Sequence, residues 1–127
     1  PALDFLDMSL WDVRKEPTEA EFKGRSLMSY FADLPRSGVR LGVAGKIMTA
    51  AQARDALAAG ADYVLVGRAA ILHHDYPRKV EADADFAPIA LPVTRAHLAA
   101  EGLSPTFITY MNNWPGFVAQ DQTEDAL

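Results

Sequence analysis

The chain has 127 residues, of which 50% are hydrophobic and 23% are charged, and its net charge is −5. These values predict one globular domain with a moderate core and exclude a disordered tail. Acidic and basic residues are interspersed, and the apolar runs are far shorter than a bilayer-spanning helix, so we expect no nucleic acid and no membrane as partner. The absence of cysteine excludes disulfides, thiolate metal sites and cysteine nucleophiles, and it favours a cytoplasmic location.

The first predicted elements are a strand and a helix joined by a charged loop. The strand covers Leu3–Leu10 and is followed at once by Trp11. Thr18 and Glu21 have the spacing of a capping box, in which each side chain hydrogen-bonds to the other residue's backbone N–H. This box predicts the start of an amphipathic helix that continues to about Leu34.

The second unit is a short strand, a glycine turn and an alanine-rich helix. The strand covers Val39–Val43, and the turn is Ala44–Lys46. Thr49 and Gln52 predict a second capping box at the start of the helix. Gly60 has the position of a left-handed C-terminal residue, so we expect the helix to end there.

The third unit repeats this order with a different sequence. Tyr63–Val66 is apolar throughout, which predicts a strand buried on both faces of a parallel sheet. Gly67 and Arg68 form the next turn, and a short helix follows over Ala69–Leu72. Three strands linked by helices predict β-α-β crossovers and therefore an α/β fold with parallel strands.

Beyond Pro77 the pattern changes to short helices and one extended segment that holds two prolines. Ser104 suits an N-cap and Pro105 the first helical position. We expect Asp121–Leu127 to be frayed because it is polar and terminal. The predicted elements are helices over Arg78–Ala84, Thr94–Glu101 and Ser104–Asn113, and an extended segment over Phe86–Pro92.

The two glycine turns have the composition of a phosphate site. Gly45 and Gly67 both stand where a strand passes into a helix, and glycine lets a ligand approach the backbone closely. A helix N-terminus offers unpaired N–H groups and a partial positive charge. Arg68 adds a forked cation that matches two phosphate oxygens, and Lys46 could contribute its backbone N–H, its side chain or neither. Phosphate lies between two neighbouring turns of this kind in eight-stranded barrels.

Each residue of this site also has a simpler interpretation. A glycine after a strand is often required by the turn alone, and Arg68 could form a surface ion pair. The occurrence of two such turns, with a helix between them, favours the phosphate interpretation. The turn at Gly45 is no P-loop, because that motif needs glycine at Arg40 and Ser or Thr at Ile47.

The polar residues outside these turns suggest weaker sites. His73 and His74 are adjacent, point in different directions and have no third ligand at a suitable spacing, so we predict no metal. We expect His97 to be an exposed helix histidine.

The acidic residues of the first strand could be acid-base carboxylates, but polar packing is favoured for Asp7. Trp11 is the better site candidate, since it follows the carboxyl end of the strand. A packing role is equally compatible with Trp11. The other acidic residues in this stretch are Asp4 and Asp12.

The stretches FLDMSLWD (5–12) and LGVAGKIMTAAQARDALAAGADYVLVGRAAILHHDYP (41–77) resemble the C-terminal third of the old yellow enzyme family, the NADH:flavin oxidoreductases. The match covers residues 3–77. It implies an α/β fold in which the chain forms strands 6, 7 and 8, with their helices, of an FMN-binding (β/α)8 TIM barrel. Residues 1–77 are then a partial barrel, and residues 78–127 are a helical tail.

The resemblance also implies which residues bind. Ala44, Gly45 and Lys46 match the turn after strand 7, whose backbone holds the FMN phosphate in the family. Gly67 and Arg68 match the pair after strand 8 that closes the same site. Trp11 falls where the family often has a residue lining the substrate pocket. The tail with Tyr110 and Trp114 resembles a C-terminal segment that can reach an active site.

The activity that the resemblance implies is reduction of an activated alkene, such as an enone, by FMN that has taken a hydride from NADH or NADPH. The family's catalytic residues lie on earlier strands, so we expect them upstream of Pro1 and expect these 127 residues alone to be inactive. Open strand edges would need the remainder of the barrel or another chain, and we expect a homo-oligomer. The alternatives are another phosphate-binding barrel enzyme without flavin, and a non-catalytic truncated or assembly fragment.

Overall fold

The computed structural model describes residues 3–120. Three strands occur in this part of the chain: β1 (Phe5–Ser9), β2 (Arg40–Ala44) and β3 (Tyr63–Leu65). The α-helices are α1 (Leu27–Ala32), α2 (Ala50–Ala58), α3 (Arg68–Leu72), α4 (Tyr76–Ala82), α5 (Arg95–Ala100) and α6 (Pro105–Met111), and a 3-10 helix covers Ala20–Phe22. None of the helices in this range is long and apolar enough to cross a membrane.

The strands form one parallel sheet in the order β1-β2-β3. Asp7 lies opposite Gly42, and Gly42 lies opposite Tyr63, so these three residues form one row across the sheet. Helices α1 and α2 cover one face, where a core of mostly small and medium side chains forms. Its buried members are Val13, Met28, Val43, Ile47, Ala53, Ala56 and Ala61.

The other face of the sheet is open, and this overturns the predicted barrel. Phe5 on β1 is 56% exposed, and Leu65 on β3 is exposed as well. Within residues 3–120 the sheet ends at β1 on one side and at β3 on the other. The prediction of strands 6–8 of a TIM barrel is therefore wrong: the structure is a small α/β fold with a three-stranded open sheet and no closed barrel wall.

The burial predicted for the third strand is also wrong. All three residues of β3 are half-buried or exposed, because β3 is an edge strand and only one face of the sheet carries helices. An apolar run predicts a strand between two layers, but the second layer depends on elements distant in sequence.

The helix caps were predicted with mixed success. Thr49 and Gln52 form the predicted capping box of α2, and Ser104 caps α6 through the N–H of Phe107. The capping box at Thr18 and Glu21 is wrong, since α1 begins only at Leu27. The intervening Gly24 has a φ of +102°, which interrupts a helix.

The region after β3 builds a second core from larger side chains. Helices α5 and α6 pack together with α3, and Val93 and Val118 form an isolated parallel bridge. The buried members are Leu72, Val93, Leu98, Ile108, Met111, Phe117 and Val118. The stretch Asp121–Leu127, which we expected to be frayed, lies outside the described residues. The predicted division at residue 77 stays a prediction.

Candidate functional site

A cavity of about 380 Å³ lies where the chain leaves the three strands. Its walls come from the loop after β1, the turns after β2 and β3, and one side of α6 with the residues that follow it. It is lined by every residue that the sequence assigned to FMN or to the substrate pocket: Trp11, Ala44, Gly45, Lys46, Gly67 and Arg68. The remaining lining residues are Leu10, Ile47, Met48, Leu65, Ile71, Phe107, Tyr110, Met111 and Trp114.

The turn after β2 is shaped by its contact with the loop after β1. The Leu10 N–H donates to Ala44 O at 2.8 Å, and the Val13 N–H donates to Gly45 O at 3.1 Å. Gly45 has a φ of +147°, and a Cβ on it would overlap the carbonyl oxygen of Leu10. The glycine at this position is therefore required by the backbone itself, whatever the site binds.

The same turn contains backbone donors that have no backbone acceptor in residues 3–120. Lys46 has a φ of +50°, which is uncommon for a residue with a side chain. No backbone carbonyl in residues 3–120 accepts a hydrogen bond from the N–H of Gly45, Lys46 or Ile47. Successive unpaired N–H groups in a turn can form an anion-binding concavity.

The start of α2 is closed by its own cap. The N–H groups of Met48 and Thr49 both donate to Gln52 Oε1, at 2.9 and 3.1 Å. The Gln52 N–H donates back to Thr49 Oγ1 at 3.1 Å, and the Ala50 N–H donates to Phe86 O at 2.9 Å. The sequence suggested that this helix start would face a phosphate, but the donors of Met48, Thr49, Ala50 and Gln52 are already engaged. The donors left at this wall belong to the turn.

The turn after β3 has space beside its glycine. A Cβ on Gly67 would meet no atom within 4 Å, so the backbone here is open to a ligand. The N–H groups of Ala70 and Ile71 donate to Gly67 O at 3.0 and 3.2 Å, which begins α3. Arg68, the first residue of α3, is exposed beside this space.

The charge of the cavity wall is positive. Its lining contains Lys46 and Arg68 and no acidic residue among the described part of the chain. Neither cation forms an ion pair with another residue of 3–120. Asp12 is held elsewhere, since Arg14 Nε lies 3.1 Å from its Oδ1. Hydrogen bonds from the Arg14 backbone and side chain lower the pKa of Asp12, and the charge of Lys46 adds to this effect.

Aromatic rings form another part of the cavity wall. Phe107 and Tyr110 stack with ring centres 5.6 Å apart, and the ring of Trp114 meets Tyr110 edge to face at 5.0 Å. Trp11 is 78% exposed on the β1 side. No role could be assigned to the tail from the sequence. The aromatic spacing of three and four residues along α6 was the signal that could have placed these rings on one side of the helix.

Asp7 lies outside the cavity, on the open face of the sheet. The Tyr63 hydroxyl donates to its carboxylate across Gly42, which has no side chain to separate them. This hydrogen bond raises the pKa of Tyr63 to about 12. Asp7 therefore has a polar contact, but on an open face of the sheet and not in the barrel lumen in which polar packing was expected.

Two of the histidines connect the end of α3 with the tail. His73 Nε2 accepts a hydrogen bond from the Ile89 N–H at 3.0 Å. His97 Nε2 donates to Leu72 O at 2.8 Å. His97 is half-buried, so the prediction that it is an exposed helix histidine is wrong. The carbonyl that it binds belongs to an element 25 residues earlier, which no local pattern could indicate.

His74 completes this junction through Glu101. Its backbone N–H and its Nδ1 lie 2.8 and 2.5 Å from Glu101 Oε2, and these hydrogen bonds lower the pKa of Glu101. His73, His97 and Glu101 each bring one possible ligand atom within 4.8 Å of the others. However, a neutral His73 that accepts at Nε2 carries its proton on Nδ1 and offers no free lone pair. Burial lowers the pKa of His73, which favours this neutral form.

Comparisons of the chain with protein-family models, with curated proteins and with solved structures found no match.

Proposed function

We propose that the cavity binds the phosphate of FMN, and that the chain acts in an NAD(P)H-dependent flavin oxidoreductase that reduces activated alkenes. One observation carries the proposal: two strand-to-helix turns, with Lys46 and Arg68, line the same cavity. Among residues 3–120, no carboxylate side chain lines it. The resemblance of residues 5–12 and 41–77 to the NADH:flavin oxidoreductases supports FMN as the phosphate ester.

The residues of the two turns fit a phosphate group. The N–H groups of Gly45, Lys46 and Ile47, which have no backbone acceptor within residues 3–120, supply donors, and the space beside Gly67 lets an oxygen approach the backbone. The Arg68 guanidinium offers two parallel N–H groups to two phosphate oxygens. Lys46 adds a second positive charge, which favours the doubly ionised phosphate.

The chemistry of hydride transfer would be supplied by the bound flavin, while the protein binds and orients it. Trp11 stands at the β1 side of the cavity, where its ring can form part of the wall for a small alkene. The absence of cysteine is compatible with work in the reducing cytoplasm.

A second candidate is a phosphate-binding enzyme that uses no flavin. It is favoured by the fact that the donors and cations of the two turns require only a phosphate group. The two candidates differ in what else the cavity must hold.

Calorimetric titrations of the 127-residue chain with FMN, riboflavin and inorganic phosphate test the proposal. We expect FMN to bind more tightly than riboflavin, which has the same ring system without the phosphate. Arg68→Ala removes a charge-assisted contact and should weaken FMN binding roughly 10- to 100-fold. Arg78→Ala is the matched control, because Arg78 is exposed on α4 and does not line the cavity.

Equal binding of FMN and riboflavin, or an equal loss in both arginine variants, would contradict the phosphate site. Binding of inorganic phosphate with no gain from the flavin ring would favour the second candidate. Circular dichroism of each variant separates loss of binding from loss of fold.

A further inference from the structure

The tail contributes an aromatic wall to the same cavity as the two turns. Helix α6 buries Ile108 and Met111 in the second core, and this packing fixes the orientation of the helix. Its other side, with Phe107 and Tyr110, is directed to the cavity, and Trp114 continues the wall beyond the helix. The cavity is therefore cationic on the side of the sheet and aromatic on the side of the tail.

These rings are exposed although a large core lies next to them. Tyr110 is 51% exposed, whereas Met111, the next residue, is 2% exposed. Tyr110 touches Phe107 on one side and Trp114 on the other, so its position is set by aromatic packing. An exposed group of large rings that lines a cavity is a common feature of ligand sites.

We infer that Tyr110 and Trp114, with Trp11 in the same cavity, bind the planar ring system of the phosphate ligand, so that the site selects aromatic phosphate monoesters over simple phosphates. The inference rests on the proposed phosphate site, which would hold the other end of the same molecule. Aromatic side chains stack favourably on planar heteroaromatic rings whatever the exact pattern of ring substituents. The rings of the tail thus select the planar ring of the ligand, and the turns after β2 and β3 select its anionic group.

The chain has its own optical probe for this inference. It contains two tryptophans, Trp11 and Trp114, and both line the cavity. A ring that enters between them should quench the tryptophan fluorescence, whereas inorganic phosphate should leave it nearly unchanged. Titration with FMN, riboflavin and inorganic phosphate therefore reports ring binding and phosphate binding separately.

Tyr110→Ala should weaken FMN and riboflavin binding roughly 3- to 10-fold, because one stacking partner is lost. It should leave the calorimetric affinity for inorganic phosphate unchanged. Tyr110→Phe keeps the ring and should restore the affinity for FMN. Phe31→Ala is the matched control, since it removes an exposed aromatic ring on α1 that does not line the cavity.

The outcomes separate the inference from the function on which it rests. If Arg68→Ala weakens inorganic phosphate and FMN binding while Tyr110→Ala changes neither, the aromatic wall is overturned and the phosphate site stands. If riboflavin binding depends on Tyr110 but FMN gains nothing from its phosphate, the phosphate site fails and the ring wall stands. Equal effects of Tyr110→Ala and Phe31→Ala would also overturn the inference.

Discussion

The sheet region, residues 3–77, and the tail region, residues 78–120, differ in how they bury apolar side chains. The sheet region packs two helices on one face of its strands through small side chains, among them Ala53 and Ala56. The tail region surrounds Leu98 and Phe117 with larger side chains from several short helices. Small residues allow α2 to lie close to the sheet, but each buries little apolar surface.

The two regions also contribute different groups to the cavity. The sheet region contributes the turns and both cations near the ends of the strands, while its outer face, with Phe5 and Leu65, stays open. The tail region closes its own core and contributes the rings. The cavity needs both regions, since the sheet region provides the cations and Trp11 while the tail region provides the other three aromatic rings.

The largest effect that we expect comes from the tail core. Phe117→Ala removes a ring that is 2% exposed and should lower the free energy of unfolding by about 3–5 kcal/mol. Phe5→Ala, on the open face of the sheet, should cost less than about 1 kcal/mol. Urea unfolding followed by circular dichroism measures both. Similar losses in the two variants would show that the two regions are equally well packed and would break the comparison.

An intermediate effect should come from substitutions in the two glycine turns that line the cavity. Gly45→Ala puts a Cβ against the Leu10 carbonyl at a φ of +147° and should cost about 2–4 kcal/mol. Gly67→Ala adds a Cβ in open space and should cost less than about 1 kcal/mol.

Thermal unfolding of both glycine variants, combined with phosphate titration of the stable one, tests this contrast. We expect Gly67→Ala to stay folded and to bind inorganic phosphate more weakly, because the methyl group occupies the space beside the turn. A Gly45→Ala protein as stable as the wild type would show that the loop after β1 can move away from this turn.

The smallest effect should be a dependence of stability on pH at the histidine junction. Burial lowers the pKa of His73 below 6.5, so the unfolded chain binds this proton more readily than the folded chain. Stability should be complete above 6.5 and should decrease as the pH falls from there towards the folded-state pKa. Glu101, whose pKa lies below 4.5 in the fold, adds a second loss as the pH falls below that value.

Urea unfolding from about pH 7 to about pH 5 measures the first of these losses. His73→Gln cannot take up the proton and should remove most of it. An unchanged pH profile in this variant would assign the dependence to other groups and would remove His73 from the account.

Local chemistry explains which features of the fold were predictable. The capping boxes, the N-cap at Ser104 and the left-handed Gly60 each depend on a few neighbouring residues, and all but the box at Thr18 were predicted correctly. Closure of the sheet, in contrast, depends on elements that are distant from one another in sequence. A repeat of strand, glycine turn and helix is common to open sheets and barrels, so the repeat gives no information about how many strands complete the sheet.

The candidate site also contains features set by neighbouring residues and features set by residues distant in sequence. The positions of both turns were predicted because glycine after a parallel strand favours a turn, while their binding of phosphate stays a prediction. The aromatic wall was not identified because it depends on the burial of Ile108 and Met111 in a core that also contains Leu72, more than thirty residues earlier. His97 was misjudged for the same reason, since its partner Leu72 is distant in sequence.

The hydrogen bond from the Ala50 N–H to Phe86 O has a consequence for how the molecule opens. The first amide of α2 is protected by a carbonyl that lies in the tail region, and the Arg54 guanidinium donates to Ala84 O beside it. Detachment of the segment from Ala84 to Phe86 would therefore expose an amide in the sheet region to exchange with solvent. The two regions share a cooperative unit at this point, and the exchange rate of the Ala50 amide measures the free energy that joins them.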